Sequence, residues 1–244
     1  MKGKIFGISG HKGVGKDTVA NMLLYIIDNG TAATYDNWER TRLHTDIPIT
    51  EWDKKGRITH FADPLKDVLS SLFNIPREYF DDRLHKDLSL YCCDTGKFMC
   101  RLDCDRAGYT FVGKASMENY GLEYLLLTDR KCFYIRDLMQ YFGTSLVRNT
   151  LGSGVWVKST GLRIKEILTN NDICLIPDVR FYNEAELIHA RNGKILHIHG
   201  GNNTDKHESE TVDFKCDCYI ENNGTLMNLY YQVLNIYNEE IKWK

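Results

Sequence analysis

A seven-residue stretch near the start of the chain, Gly10-His-Lys-Gly-Val-Gly-Lys16, limits what this sequence can fold into more than any other part of it. It follows a short apolar segment, Lys4 to Ser9, that reads as a strand, and it precedes a segment that reads as a helix from near Lys16 to about Asp28. Val19, Met22, Leu23, Ile26 and Ile27 recur there at i, i+3 and i+4 spacings, the pattern of a helix packed on a sheet. The spacing G-x4-G-K between a strand and a helix is that of a phosphate-binding loop. Gly10, Gly13 and Gly15 open backbone conformations closed to other residues, so the loop's N–H groups, Lys12 and Val14 included, can close around phosphate oxygens. The helix N-terminus adds partial positive charge, and Lys16 reaches the β- and γ-phosphates of a bound nucleotide. An ordinary glycine-rich turn is the competing reading, and the matching strand and helix weigh against it.

One position departs from the general motif. Asp17 stands where Ser or Thr usually offers a hydroxyl to Mg²⁺, and Thr18 comes one residue later, about 100° further round the helix. Thr18 therefore does not replace the missing hydroxyl and is read as an α-phosphate contact, while ligation of Mg²⁺ by Asp17 stays open.

The rest of the chain alternates strand with helix. Gly56 to Phe61 reads as a second strand, and Pro64 opens a helix running through Leu72, with Asp63 as a candidate cap. Helical spacing returns in Ile135, Leu138, Met139, Phe142, Leu146 and Val147, and again from Val155 to Leu168 after a Gly-Ser-Gly break. Ile173 to Pro177 and Lys194 to Ile198 are further strands around a helix that holds Ala185, Leu187, Ile188 and Ala190, and an amphipathic helix spans Leu226 to Ile241. Such alternation predicts an α/β fold of three layers with a mostly parallel central sheet, in which ligands sit beyond the carboxyl ends of the strands. The simplest organisation is one domain over residues 1–244, with insertions at about 30–55 and 92–130. The first insertion is polar without a sustained period. In the second, Phe98 to Leu102 and Tyr109 to Val112 flank an Asp-Arg-Ala-Gly turn and read as a β-hairpin, and the polar stretch around 78–90 is a candidate lid.

Composition narrows the partners. A net charge of −2 gives no general attraction to a nucleic-acid polymer or an anionic membrane, so an anionic ligand must be met by cations gathered in a pocket. No apolar run nears the roughly 18 residues that span a bilayer, and the N-terminus lacks a signal-peptide cleavage pattern, which predicts a cytoplasmic protein. The eight cysteines then read as reduced thiols. Cys92, Cys93, Cys100 and Cys104 lie close in sequence, as do Cys216 and Cys218, but without the paired spacing of a zinc site. His197 and His199 share one face of a strand, and with no completing ligand they read as structural.

Ile173-Cys-Leu-Ile-Pro-Asp178 is an apolar strand ending in a carboxylate. Such an Asp either caps the next helix or meets Mg²⁺, and its company with the glycine loop favours the metal. Arg180 falls near the start of the following helix, in reach of phosphates, with Glu184 one turn on; a surface ion pair between the two is the other account.

Six blocks in order resemble the phage-type deoxynucleoside monophosphate kinases. They are Ser9 to Thr18 with its Lys-Asp-Thr ending; Phe61-Ala-Asp-Pro-Leu-Lys66; Asp82-Arg83; Arg136-Asp-Leu-Met-Gln-Tyr-Phe-Gly-Thr144, continuing through Arg148 to Trp156-Val-Lys158; Pro177 to Glu184; and His207 to Glu210 with Ile220 to Thr225. The resemblance implies a kinase that moves the γ-phosphoryl group of ATP, with Mg²⁺, onto a deoxynucleoside monophosphate. It implies that Lys66, Arg83, Arg136, Gln140, Gly143, Thr144 and Trp156 surround the acceptor, with Asp178, Arg180 and Glu184 on the metal and phosphate side. Lys16, Arg83, Arg136 and Arg180 would be the catalytic cations, since arginine's planar fork suits phosphate. Trp156 is equally well read as core, between its apolar neighbours. A non-nucleotide acceptor such as phosphomevalonate, ATP binding without turnover, and association as a homodimer stay open at this stage.

Overall fold

The computed structural model describes residues 3–43, 53, 55–82, 85–86, 89–92, 97–100, 110–111, 131–152, 154–200 and 213–241. In chain order the main elements are β1 (Lys4–Ser9), α1 (Lys16–Asn29), α2 (Tyr35–Leu43), α3 (Asp63–Phe73), β2 (Ser89–Cys92), β3 (Lys97–Cys100), β4 (Thr110–Phe111), β5 (Lys131–Tyr134), α4 (Ile135–Gln140), α5 (Gly154–Asn170), β6 (Ile173–Val179), α6 (Tyr182–His189), β7 (Lys194–His199), β8 (Cys218–Glu221) and α7 (Leu226–Ile236). Their contacts divide the chain into two compact units, residues 1–61 with 157–244 and residues 62–156.

The first unit is built on a parallel sheet of order β6-β1-β7-β8. Side chains alternate across it as a strand requires. Phe6, Ile8, Ile173, Leu175, Leu196 and Ile198 join a core with Val19, Leu23 and Met22 of α1 and Tyr230 and Val233 of α7. Ile5, Cys174, Ile176 and Ile195 face the other way, onto Ile164 of α5 and Ala185 and Ile188 of α6. Helices thus cover both faces, and the predicted three-layer α/β arrangement with a parallel sheet is what the chain forms. In register, Ser9 stands beside Val179 on one side and His197 on the other. The carboxyl ends of β1, β6 and β7 are therefore level, and the glycine loop, Asp178 to Arg180 and His197 to Gly200 leave the sheet along one edge.

Several expectations are corrected here. Residues 35–43, within the polar stretch that shows no sustained period in the sequence, form α2, because tertiary partners supply what the local pattern lacks. The buried Trp38 donates its indole N–H to Asn21 Oδ1 at 2.7 Å and packs with Tyr35 and Tyr230. The strand expected over 56–61 shrinks to one parallel bridge, Ile58 to Leu175. Its approach is fixed by Arg57, 3% exposed, whose guanidinium forks onto Asp28 at 2.8 Å twice and reaches Asp53 at 3.1 Å. Burial raises the carboxyl pKa of Asp28, and the hydrogen bonds and charges of Arg57 and Lys55 overcome it, so the net direction is down. An unanticipated edge strand, β8, alternates buried Cys218 and Ile220 with exposed Tyr219 and Glu221.

The second unit carries a sheet of order β3-β2-β5-β4. β2 pairs antiparallel with β3, and β4 pairs in parallel with β5, so among the described residues Phe98 to Cys100 lies beside β2 and not beside Thr110 and Phe111; the rest of the expected hairpin lies outside the described residues. α3 packs with α4 around Leu65, Leu69, Phe73, Leu138, Phe142 and Trp156. α4 does not run on unchanged to Val147: from Tyr141 to Arg148 the chain widens into π winding. No helix among the described residues is long and apolar enough to cross a membrane.

Candidate active site

The glycine loop has the backbone its sequence calls for. Gly10, Gly13 and Gly15 have φ of 139°, 79° and 98°, all in the region that side chains disfavour. At Gly10 the packing is also tight: a Cβ there would lie 2.7 Å from the Ile198 carbonyl oxygen and 2.8 Å from Val14 Cγ1. The first bond of α1 runs from the Val19 N–H to Gly15 O at 2.9 Å. The N–H groups of Lys16, Asp17 and Thr18 consequently have no acceptor inside the helix, which is the arrangement that draws anions. The Lys16 ammonium donates to Gly10 O at 2.6 Å and to His11 O at 2.7 Å, so its charge is held across the mouth of the loop. Lys12 and Asp17 are exposed, Thr18 is half-buried and Val14 is buried.

Asp178 and Arg180 lie at the same sheet edge. Asp178 Oδ1 accepts the Phe61 N–H at 3.0 Å, which helps to orient the carboxylate. Glu184, 2% exposed, accepts the N–H groups of Arg180 at 2.8 Å and Phe181 at 3.1 Å. It therefore locks the start of α6 and fixes the backbone from which the exposed Arg180 side chain departs.

His197, at the end of β7, is half-buried with its Nδ1 unsatisfied. Burial, then the neighbouring charges of His199, Lys16 and His11, push its pKa down to about 4, so it is neutral beside the loop at pH 7. Its ring stacks edge-on to His199 at 4.4 Å. Among the described residues no group of three His, Cys, Asp or Glu side chains is arranged to hold a metal.

In the second unit the acceptor-side residues implied by the resemblance are Lys66, Arg136, Gln140, Gly143, Thr144 and Trp156. Arg136, Gln140 and Thr144 are exposed at four-residue intervals along α4 and its π continuation. Gly143 is a packing site, where a Cβ would meet Leu65 Cδ2 at 2.7 Å. Its carbonyl accepts the indole N–H of the buried Trp156 at 3.2 Å, so this tryptophan's ring belongs to the core. Lys66 is 6% exposed and donates to Asp63 at 3.1 Å and Asp81 at 2.8 Å. Arg77 binds the same two carboxylates and Asp67. Asp63 is thus an ion-pair partner rather than a side-chain cap of α3. Arg83 lies outside the described residues.

Sequence reasoning passed over Asn222, in the turn after β8, whose Nδ2 donates to Val14 O at 2.9 Å. The signals for it were the Ile220 to Thr225 block of the resemblance and its Asn-Asn-Gly-Thr run, which marks a tight turn next to a short alternating strand.

A family model described as deoxynucleotide monophosphate kinase matches residues 90–233, more than half of the chain. No curated protein matches the sequence.

Proposed function

Because the chain belongs to the deoxynucleotide monophosphate kinase family, we propose that it transfers the γ-phosphoryl group of ATP to a deoxynucleoside monophosphate, giving the diphosphate and ADP. The observation that carries the donor side is the loop itself: three glycines at positive φ, the helix N-terminus that follows them, and the Lys16 ammonium held on the Gly10 and His11 carbonyls. The family match begins at residue 90, after the loop, so the two lines of support rest on different residues.

The acceptor phosphate is already anionic near neutral pH, and the reaction needs positioning and charge stabilisation more than a general base. Lys16 and the loop amides hold the donor phosphates. Arg136 and Arg180, both exposed, bind the acceptor and the migrating group, and Arg83 shares that task. Gln140 and Thr144 offer polar contacts to the base or sugar. Lys66 serves the acceptor phosphate by exchanging part of its bonding with Asp63 and Asp81. Trp156 and Gly143 act by packing, through the bond that ties them.

The carboxylates of Asp178 and Asp17 are hard oxygen donors on the loop side, which fits Mg²⁺, a cation held chiefly by phosphate and water with one or two carboxylates. When bound, it neutralises charge on the β- and γ-phosphates.

A coupled assay of ADP release with a panel of deoxynucleoside and ribonucleoside monophosphates tests the reading. Turnover should require a deoxynucleoside monophosphate; ADP release at the same rate without any acceptor would sink the proposal.

A further inference from the structure

We propose that Asn222 is a positioning residue of the phosphate loop, holding the Val14 carbonyl outward so that the Gly15 N–H points to the opposite side, where donor phosphate binds. This inference rests on the reading of the loop as an ATP phosphate cradle. A trans peptide directs its C=O and N–H groups oppositely, so fixing the Val14 carbonyl fixes the direction of the next amide. Asn222 Nδ2 makes that bond at 2.9 Å across 208 residues of sequence.

Asn222 is itself well anchored. Its N–H donates to His199 O at 2.7 Å, which continues the β7–β8 ladder beyond its last paired residues. Gly200, at φ 118°, lets this turn close, because a Cβ there would sit 2.7 Å from Asn222 O. Gly200 O in turn meets the His11 ring, which also faces Lys12 O at 2.9 Å. On the loop side, a Cβ at Gly15 would come within 3.0 Å of Asn222 Nδ2, so the amide lies directly against the residue whose N–H it orients. The loop is therefore fixed from the neighbouring strand ends as well as by its own glycines. A left-handed Gly15 has many accessible conformations, and the Asn222 bond selects one of them.

The test measures ATP binding to the full chain by calorimetry, together with KM for each substrate. Asn222→Ala should weaken ATP binding about tenfold, the worth of one well-placed hydrogen bond. Asn222→Asp, of the same shape, should weaken it about a hundredfold, because a carboxylate then faces a carbonyl and repels the phosphates. In both variants KM for ATP rises and KM for the deoxynucleoside monophosphate stays within twofold, a split that general loosening of the fold would not produce. Asn223→Ala, next in the chain, should change neither.

Binding of ATP by both Asn222 variants within about twofold of the unaltered protein would overturn the inference and leave the proposed function standing. Loss of the folded state in both, seen by circular dichroism, would assign Asn222 to the fold and overturn it equally. If the unaltered protein bound no ATP, the cradle reading would fail first and take this inference with it.

Discussion

The glycine loop and the Lys66 cluster both concentrate charge, the first through main chain and the second through side chains. In the loop, left-handed glycines and the open start of α1 supply the field, and one lysine completes it. Around Lys66, two cations share three carboxylates, Asp63, Asp67 and Asp81, in bonds that Arg77 makes redundant at Asp63 and Asp81. Where such a main-chain device is tightly packed, as at Gly10, it has no room for a single added methyl. A network of side chains gives up strength piece by piece.

That contrast is broken or sharpened most strongly by Lys16→Ala. Removing the lysine that spans the loop carbonyls should lower kcat/KM for phosphoryl transfer by about 10³-fold, comparable to loss of a major charge-stabilising donor. A loss below tenfold in steady-state ADP release would show that the loop's charge is shared more widely.

Next in size is Gly10→Ala, which forces a methyl against the Ile198 carbonyl at 2.7 Å in a strained conformation and should destabilise by about 3 kcal/mol in urea unfolding. Gly13→Ala meets nothing within 4 Å, and should cost about 1 kcal/mol from conformation alone. Equal values for the two would mean that packing around the loop does not matter.

In the side-chain cluster, Lys66→Met should cost about 2 kcal/mol, below the usual loss for a broken buried pair, since Arg77 still reaches Asp63 and Asp81. The double variant with Arg77→Met should lose more than the two singles together. Simple additivity would remove the redundancy argument.

The smallest effect concerns pH. His197 has a folded pKa of about 4 against an ordinary 6.5, so between these values the unfolded chain binds the extra proton. Stability should therefore fall as pH drops from about 6.5 towards 4 and level off below, with His197→Asn flattening that slope. Urea midpoints at pH 7, 6 and 5 report it. Because the ring is only half-buried, solvent screening keeps the change small.

What the sequence disclosed follows from the same contrast. The loop, α1 and the apolar runs of β1 and β6 were readable because glycine positions and hydrophobic patterns are local facts. α2 was not, since Trp38 and Tyr35 are held by Asn21 and Tyr230, far apart in the chain. The expected strand at 56–61 over-counted because Ile58 alone reaches Leu175. At the candidate site, residue types on α4 were legible, yet the Gly143 to Trp156 bond and the pairing of Lys66 with Asp81 depend on contacts that no spacing rule encodes. Asn222 was missed for the same reason, its partner Val14 lying at the other end of the chain.

The division of the chain has a temporal side. β1, which leads straight into the loop, pairs with strands that begin only at Ile173 and Lys194. Residues 62–156, by contrast, form a continuous segment. During synthesis that middle segment can collapse with its own sequence neighbours, while the opening strand waits for more than 160 further residues to leave the ribosome. The edge that carries the glycine loop is thus written well before the strands beside it and is among the last to become competent, and a chain cut short before β7 would carry the motif without the sheet that shapes it.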